Sequence, residues 1–237
     1  MNLYIFIVGT IIGSFINCLC YRYNHHQKIF TKRSYCEHCG YQLKWYDLMP
    51  LLSYLLLRGK CRYCYQKINK NNFLVELIFG ISYLMIFYKT GNWIYLLIFS
   101  LLMLASLIDI KQYIIPDFIP IIIIIIGVCC LNNDYIDNIY GSLIITIPLI
   151  LINFFKKGMG YGDIKLYFSL GLFLGIKKII LAYVISIFVA FFIGIYHLIS
   201  RKITFKERIA FVPYITLGYL ITILFNQEII AFYLKMV

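Results

Sequence analysis

Four of the chain's eight cysteines fall in two pairs, CEHC (Cys36 to Cys39) and CRYC (Cys61 to Cys64), separated by 21 residues. Two such knuckles can give four thiolates to one tetrahedral Zn²⁺, at a spacing slightly longer than the usual ribbon. The competing reading is two redox or disulfide pairs, which a cytoplasmic location would disfavour. With four thiolates available, His25, His26 and His38 are expected to be exposed loop residues. Cys18, Cys20, Cys129 and Cys130 sit in or near apolar runs and are expected to pack there.

The second set is acidic. Ionisable groups inside apolar spans are costly, and so are functional candidates. Here they are Glu76, Asp109, Asp117, Asp163 and Glu228. Two carboxylates held close together share one proton. The ionised member can then draw a proton from water while the protonated member donates to a peptide carbonyl oxygen. That is metal-free aspartic-protease chemistry. Asp163, after Gly160-Tyr161-Gly162, is one candidate; Asp109 and Asp117, in SLIDIKQYIIPDFIP, compete to be its partner. The plain alternatives are that Asp163 is a helix N-cap after a glycine turn, and that Asp109 only marks where a span leaves the lipid.

Something must bring groups 54 positions apart to one place. Of the 237 residues 62% are hydrophobic and 14% charged, with mean hydropathy +0.83, against roughly 25% charged in soluble domains. The expected fold is therefore all-α and polytopic in a membrane, with about eight transmembrane helices: 3–20, 73–89, 93–108, 113–131, 139–155, 164–176, 178–199 and 212–234. A tight hairpin at 176–178 is needed for eight; one long bent helix there would give seven. The first run has no preceding Lys or Arg and no small-residue cleavage pattern, so a retained span is expected rather than a removed signal peptide.

With the N-terminus outside, segments 21–72, 109–112, 156–165 and 200–211 face inward and hold 18 of the 22 lysines and arginines. The acidic stretch 132–137 falls outside. This asymmetry satisfies the positive-inside rule. The net charge of +12 then needs no nucleic-acid partner, and no nucleic-acid reading motif is present. The expected organisation is a first span (1–20), a cytoplasmic four-cysteine zinc-binding insertion (21–72) and a multi-span membrane domain (73–237). An insertion this small has too little apolar surface to fold well unaided, so metal would supply much of its folding free energy. Asp109 and Asp163 fall at the same inner face.

At this point the residues resemble a family, the bacterial prepilin peptidases or type IV leader peptidases. GSFINCLCYR (13–22) is similar to its first-span signature, and residues 34–64 to its cysteine-bearing cytoplasmic domain. IDIKQYIIPD (108–117) and GMGYGDIKL (158–166) resemble its two aspartate motifs. Glu37 departs from the proline many relatives carry after the first cysteine, leaving the four thiolates intact. The resemblance implies a GxGD-type aspartic endopeptidase of the cytoplasmic membrane, with Asp109 and Asp163 catalytic and with Gly160, Gly162, Pro116, Asp117 and Lys165 supporting them. It implies cleavage of the short basic leader of type IV prepilins or pseudopilins, then S-adenosylmethionine-dependent methylation of the new N-terminal amine. No strand–GxGxxG–helix unit for that cofactor is present, so any site must be unconventional, for example between the insertion and the spans; its residues are left unassigned, and Glu76 is either a contributor or simply a carboxylate at a helix start. An ion-coupled transporter using these carboxylates, and a thiol oxidoreductase using the CxxC pairs, are the rival functions.

Overall fold

The apolar runs are helices in the computed structural model, which describes residues 2–28, 33–131, 135–155, 160–200 and 209–236. The basic stretches 156–159 and 201–208, and residues 132–134 of the acidic stretch, lie outside the described residues. The helices are α1 (Asn2–Asn24), α2 (Leu52–Leu56), α3 (Lys70–Thr90), α4 (Trp93–Gln112), α5 (Phe118–Cys129), α6 (Tyr135–Phe155), α7 (Tyr161–Ile199) and α8 (Val212–Met236). Among the described residues five, α1, α3, α4, α6 and α7, are long and apolar enough to cross a membrane by length and composition. The chain is a multi-pass, all-helical membrane protein. It divides into two compact units, 1–100 and 101–237.

In the first unit α1 packs along α3. Gly9 and Gly13 give α1 a smooth face, on which a Cβ would meet the Tyr83 and Phe79 side chains at 2.7 and 2.8 Å. Asn69 caps α3 by accepting the Asn71 N–H, and Gly91 closes it in the left-handed conformation. The four-cysteine insertion joins α1 to α3. Between 33 and 69 only Gly59 and Cys61 are buried, so this segment has no apolar core of its own.

In the second unit, α5 is only 12 residues long where the hydropathy predicts a span over 113–131. Pro116 lacks an N–H and pushes Ile115 out of the α region. The helix therefore stops at Gln112, Tyr113 turns at φ 55°, and helix resumes at Phe118. The break begins three residues ahead of Pro116.

The predicted hairpin after 176 is a sharper feature. Gly175, at φ 74° and ψ 176°, interrupts α7. The two arms fold back on each other: the Tyr167 hydroxyl is 2.6 Å from the Ser186 Oγ, and the Tyr167 and Tyr183 rings are 5.3 Å apart. Sixteen residues of straight helix would separate those rings by about 24 Å. Two antiparallel arms, rather than one long bent helix, make eight apolar helical segments. Asp137, at the start of α6, accepts the Ile176 N–H at 3.3 Å and so caps the returning arm.

Gly171 and Gly175 form a GxxxG face on α7, and there its backbone meets that of α6. A Cβ on Gly171 would strike the Gly141 carbonyl oxygen, and one on Gly141 would lie 2.7 Å from the Gly175 carbonyl carbon. Small residues at this spacing let membrane helices approach closely. Gly171→Leu is expected to destabilise the protein by about 1–3 kcal/mol through overpacking, read as a lower thermal midpoint in detergent. Gly194→Leu, where nothing lies within 4 Å of a new Cβ, should leave the midpoint unchanged; equal losses would refute the packing argument.

Candidate functional site

The break after α4, the start of α7 and the start of α8 lie at one end of the second unit, and both aspartates are there. Asp109, in the last turn of α4, is buried at 6% exposure. Its Oδ2 accepts the Val212 N–H at 3.1 Å, and the Phe211 N–H also donates to this carboxylate. Asp109 thus satisfies free N–H groups at the first turn of α8, where a negative charge is favoured. No sequence motif names Val212 or Phe211 as partners; Pro213, in the first helical turn, is the only local sign that a helix begins there.

Asp163 is not the N-cap. The helix starts at Tyr161, so Asp163 is its third residue, and its carboxylate reaches back to the Gly160 N–H, as the third residue of a capping box does. Its charge is close enough to that of Asp109 for the two to repel. The fold therefore brings together the two carboxylates singled out in the sequence.

The two glycines of the motif have distinct steric roles. A Cβ on Gly160 would sit 3.2 Å from the Asp163 Oδ2, crowding the carboxylate. One on Gly162 would sit 3.1 Å from the Ile115 side chain. Bare backbone at Gly162 lets the segment that leaves α4 pass against the first turn of α7. Pro116 shapes that segment, which links the two aspartates.

Asp117 is placed differently. Its Oδ1 accepts from the Lys165 Nζ at 2.7 Å, with the two side chains 70% and 57% exposed. An ion pair this open contributes roughly 0–1 kcal/mol. Asp117 and Lys165 rim an apolar groove of about 530 Å³ between α5, α6 and α7, lined by Ile121, Ile150, Ile164 and Phe168. Asp109, not Asp117, has the burial and the neighbour that dyad chemistry needs. Both members of the pair sit at helix ends, whereas transporter carboxylates are expected near mid-membrane.

The four thiols form a second centre in the first unit. The Sγ atoms of Cys36, Cys39, Cys61 and Cys64 all lie within 4.8 Å of one another, and those of Cys36 and Cys64 are 3.8 Å apart. Zinc–sulfur bonds of about 2.3 Å in a tetrahedron require sulfurs about 3.8 Å apart, so the set fits one metal ion. Convergence on one point is not the layout of two separate redox pairs. Each knuckle ends in a left-handed residue, Gly40 at φ 70° and Tyr65 at φ 57°, and each is closed by one antiparallel bridge, Tyr35 to Gln42 and Lys60 to Lys67.

Beside the thiols is a cavity of about 410 Å³, lined by Glu37, Asp47, Arg62, Tyr63, Lys67 and Asn72 among others. The Asp47 side chain is 3% exposed and accepts from the Arg62 Nε at 2.9 Å and the Tyr63 hydroxyl at 3.0 Å. Burial opposes its ionisation, but hydrogen bonds from Arg62, the Lys44 N–H and Tyr63 outweigh it and hold the carboxyl below its ordinary range. Glu76 is engaged elsewhere. It accepts the N–H of Leu51, a residue at φ 58°, at 2.8 Å, and a hydrogen bond from Ser14. It ties the insertion to α1 and α3.

Two family models match the chain: the Bacterial Peptidase A24 N-terminal domain over residues 7–90 and the Type IV leader peptidase family over 96–195. A Vibrio cholerae protein named prepilin leader peptidase/N-methyltransferase is 32% identical over 78% of this chain and 82% of its own length. Proteins of the same name from Bacillus subtilis and Stutzerimonas stutzeri are 27% and 30% identical, over 98% and 87% of this chain and 97% and 76% of theirs. No solved structure matches.

Proposed function

Because this chain belongs to the type IV leader peptidase family, we propose that it cleaves the basic leader from type IV prepilins or pseudopilins and then methylates the new N-terminal amine. The observation that carries the reading is the pairing of the buried Asp109 with Asp163 at one end of the second unit.

In the proposed reaction Asp109, already accepting the N–H groups of Val212 and Phe211, is the ionised member and takes a proton from the attacking water. Asp163 gives its proton to the carbonyl oxygen of the scissile peptide. Collapse of the tetrahedral intermediate returns a proton to the leaving amine and frees it. The distribution of Lys and Arg supports placing this end, the insertion and the cut at the cytoplasmic face. A leader cut there leaves an apolar helix in the bilayer. The first span, the four-cysteine insertion and the multi-span remainder are read as anchor, methylation module and peptidase.

Zinc is assigned to Cys36, Cys39, Cys61 and Cys64 as a structural ion. For the methyl donor, the residues around the 410 Å³ cavity fit the chemistry. S-adenosylmethionine carries a sulfonium, an ammonium and a carboxylate, and this cavity offers Glu37 and the Arg62-paired Asp47 as anions, Lys67 as a cation, Asn69 and Asn72 as hydrogen-bonding amides and Tyr63 as a ring. Its volume is within the range of small-molecule sites. When bound, the cofactor would supply an activated methyl group to the amine that cleavage has freed.

Co-expression with a prepilin, followed by mass analysis of the pilin N-terminus, tests both halves. A leaderless chain heavier by one methyl group is expected. An intact leader would refute the peptidase reading, and a leaderless, unmethylated chain would refute only the second half.

A further inference from the structure

One cavity in the first unit belongs to neither reaction. It has a volume of about 1160 Å³ and lies between α1 and the insertion. Its apolar lining includes Ile11 and Phe15 of α1, each about half exposed, and Leu48. Its cationic lining is Arg22, buried at the end of α1, with the exposed Arg33 and Lys44 of the insertion. Trp45, 73% exposed, also lines it. Among the described residues none that lines it is acidic, which suits an anion and opposes a sulfonium cofactor.

A second observation extends the same surface. Outside the spans, residues 45–56 present Trp45, Leu48, Met49, Leu52, Leu55 and Leu56 to the outside, Leu56 at 81% exposure. A water-facing module would not keep so many large apolar side chains exposed in one short stretch. Leu48 and Trp45 of this stretch also line the cavity, together with Ile11 and Phe15 of α1. Apolar surface level with a span, topped by basic residues at its end and an exposed tryptophan, is the arrangement that seats at a charged membrane surface.

We propose that this cavity holds an anionic phospholipid, its acyl chains along Ile11, Phe15 and Leu48 and its phosphate at Arg22, Arg33 and Lys44, and that the 45–56 face rests in the bilayer interface beside it. The lipid thereby fastens the four-cysteine insertion to the membrane. The inference is independent of the peptidase reading.

The chain has two tryptophans, so Trp93→Phe leaves Trp45 as the sole reporter in the full-length protein. In nanodiscs titrated with lipids carrying brominated acyl chains, Trp45 emission should be quenched by phosphatidylglycerol at a lower lipid fraction than by phosphatidylcholine. Arg33→Gln and Lys44→Gln, both exposed residues, should each weaken that preference by roughly fivefold. Absence of quenching by either lipid would overturn the proposal, as would equal quenching by both, or a preference unchanged in the two variants. A fall in Trp45 emission caused by S-adenosylmethionine, with no response to brominated lipid, would give the cavity to the methyl donor and overturn it too.

Discussion

Replacing Asp109 or Asp163 with Asn is expected to lower leader cleavage by roughly 10²–10⁴-fold while the protein stays folded. Asn matches Asp in shape, and its carbonyl oxygen can still accept the Val212 N–H that the Asp109 Oδ2 accepts at 3.1 Å. What it loses is the ability to take or give a proton. Alanine at 109 is a poorer test, because two buried N–H groups at the start of α8 would lose their acceptor, at about 1–3 kcal/mol each. Reduced activity would then report misfolding as much as chemistry. Since the pair acts as one unit, the double Asn variant should be little worse than either single one. Asp117→Asn is the matched control: it removes an exposed ion pair with Lys165 and should retain most of the activity. The measurement is the initial rate of leader removal from a purified prepilin, at equal amounts of folded enzyme. Near-normal rates in either dyad variant, or a loss in Asp117→Asn as complete as theirs, would remove Asp109 and Asp163 from the reaction.

How that pair could be seen in the sequence, and how its surroundings could not, has a physical explanation. Carboxylates beside apolar helices are conspicuous because desolvation makes them rare, and two CxxC units are conspicuous because thiolates must be spaced to reach one ion. Both signals are local. The partners of Asp109 come from α8, 103 positions away, and a backbone N–H carries no sequence signature. The use of Gly162 is equally hidden: a glycine in a loop motif suggests flexibility, whereas here its missing side chain makes room for Ile115. Hydropathy placed the eight apolar segments but measured length badly where Pro116 intervenes, since Ile114 and Ile115 are apolar without being helical. The turn at Gly175 was legible only as a lysine pair between two apolar runs. What closes it, Asp137 on the Ile176 N–H and the glycine contact with α6, is tertiary. The division into units at residue 100 has no marker, because it falls within α4.

Zinc removal should have the other large effect, confined to the insertion. Between residues 33 and 69 only Gly59 and Cys61 are buried, so hydrophobic burial cannot hold this segment together. Structural zinc supplies about 10–16 kcal/mol of apparent binding energy in small four-ligand domains, far more than the ring stack of Tyr41 on Tyr63 or the half-exposed Arg62–Asp47 pair can offer. Elemental analysis of the purified protein should therefore find one zinc per chain, and Cys36→Ser and Cys61→Ser should lose it. Limited proteolysis should then cut the variants within 33–69 while residues 101–237 stay protected. Cys18→Ser and Cys129→Ser, outside the cluster, should keep the metal. Arg62 and Tyr63 sit inside the second knuckle and hold Asp47 at the wall of the cavity beside the thiols. Metal loss should accordingly abolish S-adenosylmethionine binding, measured by equilibrium dialysis, and with it methylation. Asp109 and Asp163 draw their backbone hydrogen bonds from residues of the second unit, so some leader cleavage should persist in the zinc-free protein. Full zinc retention in Cys36→Ser and Cys61→Ser would refute the assignment of the four thiolates. Loss of zinc without new cleavage in 33–69 would show instead that contacts other than the metal hold the insertion in shape.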